Sequence, residues 1–407
     1  MLTRKDVLRG GSAVLLMLAG FAGSGPATAQ EPIVVGAPIP VTGPFASDGI
    51  AMKMGLDLAV EEINGRGGLL GRPLKLVEFD IGDLTPDKLE AAGTNLVSRN
   101  NAAVLINGYG GMGPDIPAFC AYPVPYINNN ATSNVVPLRN QMECGNIFMG
   151  SDVDSAYAKA TFQQILDLGY AFPSKTVAIV HGPYDWELNS AQGIREAAEA
   201  AGWEVVIDEE VPYDNRQWSG VLSQIKAEEP GLVFFELLDT AGVSSFVDQF
   251  LVDPPKTSLL YAGYIFSTPA FQEIVAGGGA NGVLGMTVSA QLPGAKGEAF
   301  VAAWEKKHGA KPPFSIGAAI YDELMLWAAA VEKVGSVDDY AAINEAIRGL
   351  AYEGVTGVYR FNEEQYVPVA DDTLPSHLIQ AQDGRHVQLK VGSQKVGDFK
   401  VPAWIAP

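Results

Sequence analysis

The sequence has 407 residues, with 27 Lys and Arg against 47 Asp and Glu, which gives a formal net charge of −20. Hydrophobic residues make up 47% and charged residues 18%, a composition that excludes wholesale disorder. The length indicates two or three domains. The strong negative charge disfavours phosphate backbones and anionic lipid surfaces, so we expect no nucleic-acid partner.

The first 29 residues are predicted to be a cleavable export signal. Basic residues within 4–9 precede an apolar stretch at 13–22, and residues 27–29 have the small-x-small pattern of a site cleaved after Ala29. The apolar stretch is too short for a bilayer, which needs about 20 residues in a helix. The basic stretch looks like a twin-arginine signal with Lys in the second position, which leaves the export route open. We expect a periplasmic mature chain that is not inserted in the membrane.

Short apolar runs alternate with amphipathic stretches along the rest of the chain. Strands separated by helices need crossover connections, which predicts an α/β fold with largely parallel sheets. The strands predicted in a first block are 33–36, 73–80, 102–107, 125–128 and 147–149, with helices at 48–63 and 86–99. The strands predicted in a second block are 176–181, 204–210, 232–236, 258–261 and 282–289, with helices at 155–168, 189–201, 218–228, 241–251, 268–275, 297–307, 316–334 and 338–350.

The tail of the chain changes to β-structure. Strands are predicted at 357–361, 376–382 and 387–391, and Asp383-Gly384 is a hairpin-turn signal between the last two.

Two cysteines, Cys120 and Cys144, are the only ones in the sequence. An even pair in an oxidising compartment favours a disulfide, and two buried free thiols are the alternative. Two cysteines cannot form a zinc site, and the four histidines are scattered, so we expect no metal site and no cofactor.

Catalytic motifs give little support for an enzyme. There is no Gly-x-Ser-x-Gly elbow, and the glycine-rich stretch 108–113 matches neither a dinucleotide-binding nor a phosphate-binding loop. The stretch has two better interpretations. One is a backbone amide cradle for a small polar or anionic ligand at a strand end, and the other is a strand-to-helix turn that needs small residues.

The order of motifs resembles the type I periplasmic solute-binding proteins of ABC importers, in particular the branched-chain amino acid and amide branch. The similarity lies in the segment 33–44 with its Thr-Gly-Pro turn, and in the Ile-Asn-Gly-Arg-Gly-Gly-Leu-Leu-Gly stretch at 63–71. The segments 125–132 and 177–181 are similar as well. Of these, the glycine-rich stretch is the most specific, and the resemblance covers nearly the whole mature chain.

This resemblance implies two α/β lobes joined by three crossovers that close on a ligand by hinge motion. Transferred to this chain, lobe 1 combines residues 31–152 with 286–357, and lobe 2 combines 153–285 with 358–407.

The resemblance also implies ligand-binding positions in lobe 1. Asp48 matches a residue that faces the cleft, although it could equally be the N-cap of the following helix. The loop Tyr109-Gly110-Gly111 matches a loop that offers donors to a ligand carboxylate. The turn Asn130-Ala131-Thr132 matches another, in which Thr132 could instead be a turn or cap residue.

In lobe 2, the resemblance places Tyr157 and Trp186 in the cleft, with Trp186 on a strand-end loop where it covers the ligand; ordinary lobe packing is the alternative for both. Tyr264 marks a departure, because amino-acid binders of this family have an acidic residue there that pairs with the ligand ammonium. A buried ammonium without a carboxylate is costly. Either Asp48, Asp185 or Asp239 replaces that residue, or the ligand is not an α-amino acid.

We therefore expect an exported protein that captures a small organic solute, such as an amino acid, an amide or urea-like compound or a small carboxylate, and delivers it to a membrane ABC permease. A ligand-sensing module of the same fold is the first alternative. A two-lobe periplasmic enzyme is the second, and the missing nucleophile, metal and cofactor motifs argue against it.

Overall fold

The computed structural model describes residues 31–110, 113–129, 131–287 and 289–405. The predicted signal peptide and the candidate ligand residues Gly111 and Asn130 lie outside these ranges.

Strands and helices alternate through most of the described chain. The strands are β1 (Ile33–Ile39), β2 (Leu74–Asp80), β3 (Ala102–Asn107), β4 (Tyr126–Asn128), β5 (Ile147–Met149), β6 (Thr176–His181), β7 (Glu204–Glu210), β8 (Leu232–Glu236), β9 (Leu259–Tyr261), β10 (Leu284–Thr287), β11 (Ala351–Glu353), β12 (Val358–Arg360), β13 (His377–Gln382), β14 (Arg385–Val391) and β15 (Gln394–Lys395). The α-helices are α1 (Ala46–Gly65), α2 (Pro86–Gly93), α3 (Asp115–Cys120), α4 (Val135–Gln141), α5 (Asp154–Leu166), α6 (Asp185–Ala200), α7 (Ser219–Glu228), α8 (Thr240–Val252), α9 (Pro269–Ala276), α10 (Ala295–His308), α11 (Gly317–Val334) and α12 (Tyr340–Arg348).

The first sheet has the strand order β2-β1-β3-β4-β5, and every neighbouring pair is parallel. Each strand except the last is followed by a helix that returns the chain to the same edge, as parallel pairing requires. The carboxyl ends of all five strands therefore point the same way, and the loops that follow them meet at one edge of the sheet.

The second sheet has the order β15-β14-β13-β10-β9-β8-β6-β7. The strands β6 to β10 are parallel, while β13, β14 and β15 are added as antiparallel strands. Asp383 and Gly384 have φ angles of 51° and 75° in the turn between β13 and β14, as a two-residue hairpin turn of the primed type needs. The α/β fold with mostly parallel sheets is thus confirmed, and so is the predicted hairpin.

Each sheet is covered on both faces by apolar side chains. One core of the first sheet is formed with α1, α11 and α12, and two further cores cover the second sheet. Helices α1 and α11 approach so closely that a Cβ atom on Gly55 would lie 2.2 Å from the carbonyl oxygen of Gly317. Among the described helices, none combines the length and the apolar character needed to cross a membrane.

The segment after residue 357 packs with the first sheet. Strand β12 pairs with β11, and Phe361, Val367 and Leu374 are buried in the core that contains α1 and α11. We therefore propose that lobe 1 continues to about residue 374, instead of ending at 357. The expected lobe boundaries near 152 and 286 stay predictions.

Candidate functional site

A cleft lies between the two lobes, where the carboxyl ends of both sets of parallel strands face each other. It encloses about 800 Å³ of space when its open mouth is included. Most of the wall residues follow directly after strands, the position where ligands bind in open α/β sheets. The residues that line it are Phe45, Leu84, Tyr109, Gly110, Asn129, Ser151 and Ile316 from lobe 1, and Tyr157, Tyr184, Trp186, Leu238, Tyr264 and Ile265 from lobe 2.

The structure brings five of the sequence-predicted ligand residues into this wall: Tyr109, Gly110, Tyr157, Trp186 and Tyr264. Sequence reasoning missed several others, such as Tyr184 and Leu238. Both follow a buried parallel strand by a few residues, so the strand-end rule could have found them without any motif.

Asp48 lies behind the wall, and it is not the N-cap of α1. The helix begins at Ala46 with Phe45 as its N-cap, so Asp48 belongs to the first turn. Its side chain is buried, and one oxygen, Oδ2, accepts hydrogen bonds from the hydroxyl groups of Tyr109 and Tyr264, the latter at 3.0 Å. Burial raises the pKa of Asp48, while the two phenol donors act in the opposite direction.

The Asp48–Tyr264 hydrogen bond crosses the cleft, and other contacts join the lobes beside it. The backbone N–H of Ala270 donates to Ser47 Oγ at 3.2 Å, and the Asn134 side-chain amide donates to Asp185. The lobes are therefore in direct contact on both sides of the pocket, as in the closed state of a hinged binder.

Trp186 is placed by a helix and not by a loop. Helix α6 begins at Asp185, so Trp186 lies in its first turn. The next residue, Glu187, is buried and accepts hydrogen bonds from the backbone N–H groups of Tyr184 at 2.9 Å and of Leu238 at 2.5 Å. One carboxyl group thus holds both neighbouring wall segments of lobe 2.

A second buried carboxyl group supports the same wall. Glu236, the last residue of β8, accepts a hydrogen bond from the backbone N–H of Tyr264 at 3.2 Å. Gly263 fits against it only as glycine, because an added Cβ would lie 2.4 Å from a Glu236 oxygen. Burial raises the pKa of Glu236 to about 8 and that of Glu187 to about 7.

The lobe 1 wall contains polar groups that are fixed by hydrogen bonds. The Asn129 amide donates to the Gly150 carbonyl at 2.8 Å and to Glu323 at 3.2 Å, and its oxygen accepts from Ser289 at 3.0 Å. Ser151 Oγ accepts from the backbone N–H of Ala131 at 3.2 Å.

Tyr157, in the lobe 2 wall, is fixed in a similar way. Its hydroxyl oxygen accepts from the backbone N–H of Asp152 at 3.1 Å. Among the described residues neither the Ser151 nor the Tyr157 hydroxyl group donates a hydrogen bond, so each can donate to a ligand.

Ala131 and Thr132 are buried but do not line the cleft. Thr132 accepts hydrogen bonds from the backbone N–H groups of Val135 and Val136 at the start of α4, and its hydroxyl donates to Asn134 at 2.6 Å. These contacts favour the turn or cap role for Thr132.

Cys120 and Cys144 form a disulfide with a Cα–Cα distance of 5.4 Å. It joins the end of α3 to the chain before β5, and Cys144 is buried in the core on the outer side of the first sheet. The bridge therefore closes the segment that contains Asn129 and the 131–132 turn.

The sequence matches the family described as periplasmic binding protein over residues 32–372. It is 24% identical to a Leu/Ile/Val-binding protein of Rhizobium johnstonii over 79% of this chain and 84% of that protein.

Two solved structures have a similar fold. A putative branched-chain amino acid ABC transporter protein from Silicibacter pomeroyi has a TM-score of 0.83 and 27% identity, covering 92% of this chain and all of the other. An ABC transporter solute-binding protein of R. palustris in complex with benzoate has a TM-score of 0.74 and 22% identity, covering 90% and 98%. Together with the two-lobe fold and its interlobe cleft, the match over residues 32–372 shows that this chain belongs to the periplasmic binding protein family.

Proposed function

We propose that this protein captures a small organic solute in the interlobe cleft and delivers it to a membrane ABC permease. The observation that carries the proposal is the cleft wall itself, to which both lobes contribute aromatic side chains and which no described Lys, Arg or His lines. A ligand that touches both walls binds the closed state more tightly than the open one, and so drives closure. The closed shape is then the signal that the permease recognises.

The predicted export signal supports a periplasmic location for this activity. Cleavage after Ala29 releases a mature chain that starts just before β1. Binding needs no covalent step, and the wall contains hydrogen-bond donors and aromatic surface, which suit recognition of a solute.

The wall offers less to an α-amino acid than to other solutes. In lobe 1, the Asp48 carboxyl group accepts hydrogen bonds from two tyrosine hydroxyl groups through Oδ2. Asp239 pairs with Arg216, and Asp185 accepts from Asn134. None of these three residues lines the cleft, so no described carboxyl group of the wall itself is placed to pair with a ligand ammonium.

A thermal-shift screen tests the proposal. The mature chain is heated with branched-chain amino acids, short amides, urea, aromatic acids, polyamines and methylated ammonium compounds. A true ligand at 100 times its Kd adds about 2.7 kcal/mol to the free energy of unfolding. If no compound raises the melting temperature at millimolar concentration, the binding function is wrong.

A further inference from the structure

Buried carboxyl groups support the cleft wall from behind. Three buried carboxyl groups stand directly behind the wall: Asp48 contacts Tyr109 and Tyr264 through their hydroxyl groups, Glu236 contacts the Tyr264 backbone, and Glu187 follows Trp186. None of the three carboxyl groups forms an ion pair with a basic side chain in the described part of the chain. Carboxyl groups without basic partners behind its wall make the cleft favour a positively charged ligand over a negatively charged one.

The wall is also aromatic on both sides. Phe45 and Tyr109 from lobe 1 have ring centroids 5.6 Å apart and ring planes at 72°. Trp186 and Tyr264 from lobe 2 have centroids 6.4 Å apart and planes at 67°. Nearly perpendicular rings are arranged like adjacent sides of a box, and the electron-rich face of an aromatic ring attracts a cation placed over it.

Hydrogen bonding strengthens this property in two of the rings. The hydroxyl groups of Tyr109 and Tyr264 both donate to the Asp48 carboxyl group. A phenol that donates to a carboxylate gains electron density in its ring, because the O–H bond is polarised toward the acceptor. Asp48 therefore strengthens the attraction between the two rings and a cationic ligand, although it does not line the cleft itself.

The hydrogen-bonding groups of the cleft wall favour a quaternary over a primary ammonium group. A primary ammonium has three N–H donors and needs acceptors when it is buried. No described Asp or Glu lines the cleft, and the hydroxyl oxygens of Ser151 and Tyr157 and the amide oxygen of Asn129 each already accept one hydrogen bond. A quaternary ammonium has no N–H group, so its burial leaves no donor unsatisfied.

We propose that the cleft selects a small organic cation whose charge lies on a methylated, quaternary ammonium group. This inference depends on the proposed function, since it names the solute class for the same cleft. Neutral amides, α-amino acids and aromatic carboxylates lack either the positive charge or the methyl surface that the aromatic box and the acidic surroundings favour.

A cationic ligand should bind with an affinity that depends on pH, because its charge interacts with carboxyl groups that titrate near the cleft. Glu236 faces Glu187, Tyr261, Tyr264 and the Trp186 indole. Its backbone neighbour in the register of the adjacent strand β6 is His181. Glu187 in turn faces Asp239 and Glu210, and Asp48 faces Tyr109, Tyr264 and Ser315. Because burial raises the pKa of Glu236 to about 8 and of Glu187 to about 7, a bound cation favours their ionised forms.

The affinity for a cation therefore rises between pH 6 and pH 9, as the two carboxyl groups lose their protons. An anionic ligand shows the opposite trend, and a neutral ligand shows little change.

Calorimetric titration of the dialysed mature chain tests the inference. The probes are choline and its uncharged carbon isostere 3,3-dimethyl-1-butanol. Benzoate and leucine are titrated separately as an anionic ligand and an α-amino acid. We expect choline to bind at least tenfold more tightly than the isostere, and its Kd to fall severalfold from pH 6 to pH 9. Glu236→Gln should weaken choline binding at pH 9 and flatten its pH profile, whereas Glu228→Gln, an exposed change on the same lobe, should do neither.

Two results would overturn the inference. One is equal binding of choline and the isostere, and the other is binding of benzoate or leucine while choline fails. In both cases a ligand still binds and the proposed function stands. Failure of every probe here, together with failure of the wider thermal-shift screen, would overturn both proposals at once.

Discussion

The two walls of the cleft are built in different ways. In lobe 1, the wall residues come from the loops after consecutive strands, and a disulfide and the Asn129 hydrogen bonds fix these loops. In lobe 2, aromatic side chains dominate, and two buried carboxyl groups, Glu187 and Glu236, hold their backbone. Lobe 1 thus resembles a rigid frame, and lobe 2 contributes most of the aromatic surface for a ligand.

Stability and affinity should therefore depend mainly on different lobes. Breaking the lobe 1 frame should lower the free energy of unfolding, while changing the lobe 2 side chains should mainly change binding. Substitutions in each lobe separately can test that division.

Removal of the disulfide by Cys120→Ser with Cys144→Ser should destabilise the protein most. Closing a loop of 24 residues is worth about 3 kcal/mol by loop entropy. Chemical unfolding of the variant and of the reduced wild type should give the same loss. If both unfold like the oxidised protein, the bridge does not stabilise the lobe 1 frame.

Trp186→Ala should cost about 2 kcal/mol of binding free energy, or roughly 30-fold in Kd, because a large aromatic contact in the cleft wall is lost. Calorimetric titration with the ligand found in the screen measures this loss. The melting temperature of the unliganded protein should change little. A large drop in that temperature, with unchanged affinity, would make Trp186 a packing residue.

Glu236→Gln should make stability less sensitive to alkaline pH. The folded-state pKa of Glu236, raised to about 8 by burial, lies above the ordinary value of 4.5, so ionisation opposes folding and stability falls as pH rises toward 9. The variant keeps an acceptor for the Tyr264 N–H but cannot ionise. Over pH 6.5–9 it should lose on the order of 1–2 kcal/mol less than the wild type.

Chemical unfolding at several pH values measures that difference. His377 and His386 do not interfere, because their pKa values, lowered by desolvation to about 3 and about 4, keep them neutral above pH 6.5. Equal slopes in variant and wild type would show that Glu236 does not ionise in this range.

Tyr264→Phe should have the smallest effect. It removes the hydrogen bond to Asp48 across the cleft but keeps the ring, so binding should weaken by about 1 kcal/mol, or about fivefold. Tyr170→Phe is the matched control, because Tyr170 packs against Phe172 and Phe399 away from the cleft. An affinity unchanged in Tyr264→Phe and reduced in Tyr170→Phe would contradict the interlobe role.

Much of the fold could be predicted because the buried strands are nearly all apolar. The predicted bounds of the buried strands β3, β6 and β8 are the observed ones, and so are those of the partly exposed strand β7. Helices α3 and α4 were not predicted, since each is short and contains a proline, Pro117 or Pro137. Proline is tolerated in a first helical turn, where its missing N–H has no partner to lose.

The candidate site was harder to predict. Helix α6 was expected to begin at residue 189 because the residue before its observed start, Tyr184, is not a usual capping residue. The buried Glu187 side chain, which accepts from the Tyr184 N–H, supplies the missing cap. The contact of Asp48 with Tyr264 joins residues 216 positions apart, and only the packing of the two lobes brings them together.

Small-angle X-ray scattering of the mature chain, with and without the ligand found in the screen, measures directly whether the two lobes close on a solute. If both lobes bind one solute between them, the radius of gyration should decrease on ligand addition, and Trp186→Ala should need a higher ligand concentration for the same change. Identical scattering profiles for the free and the saturated protein would contradict closure of the two lobes on a solute.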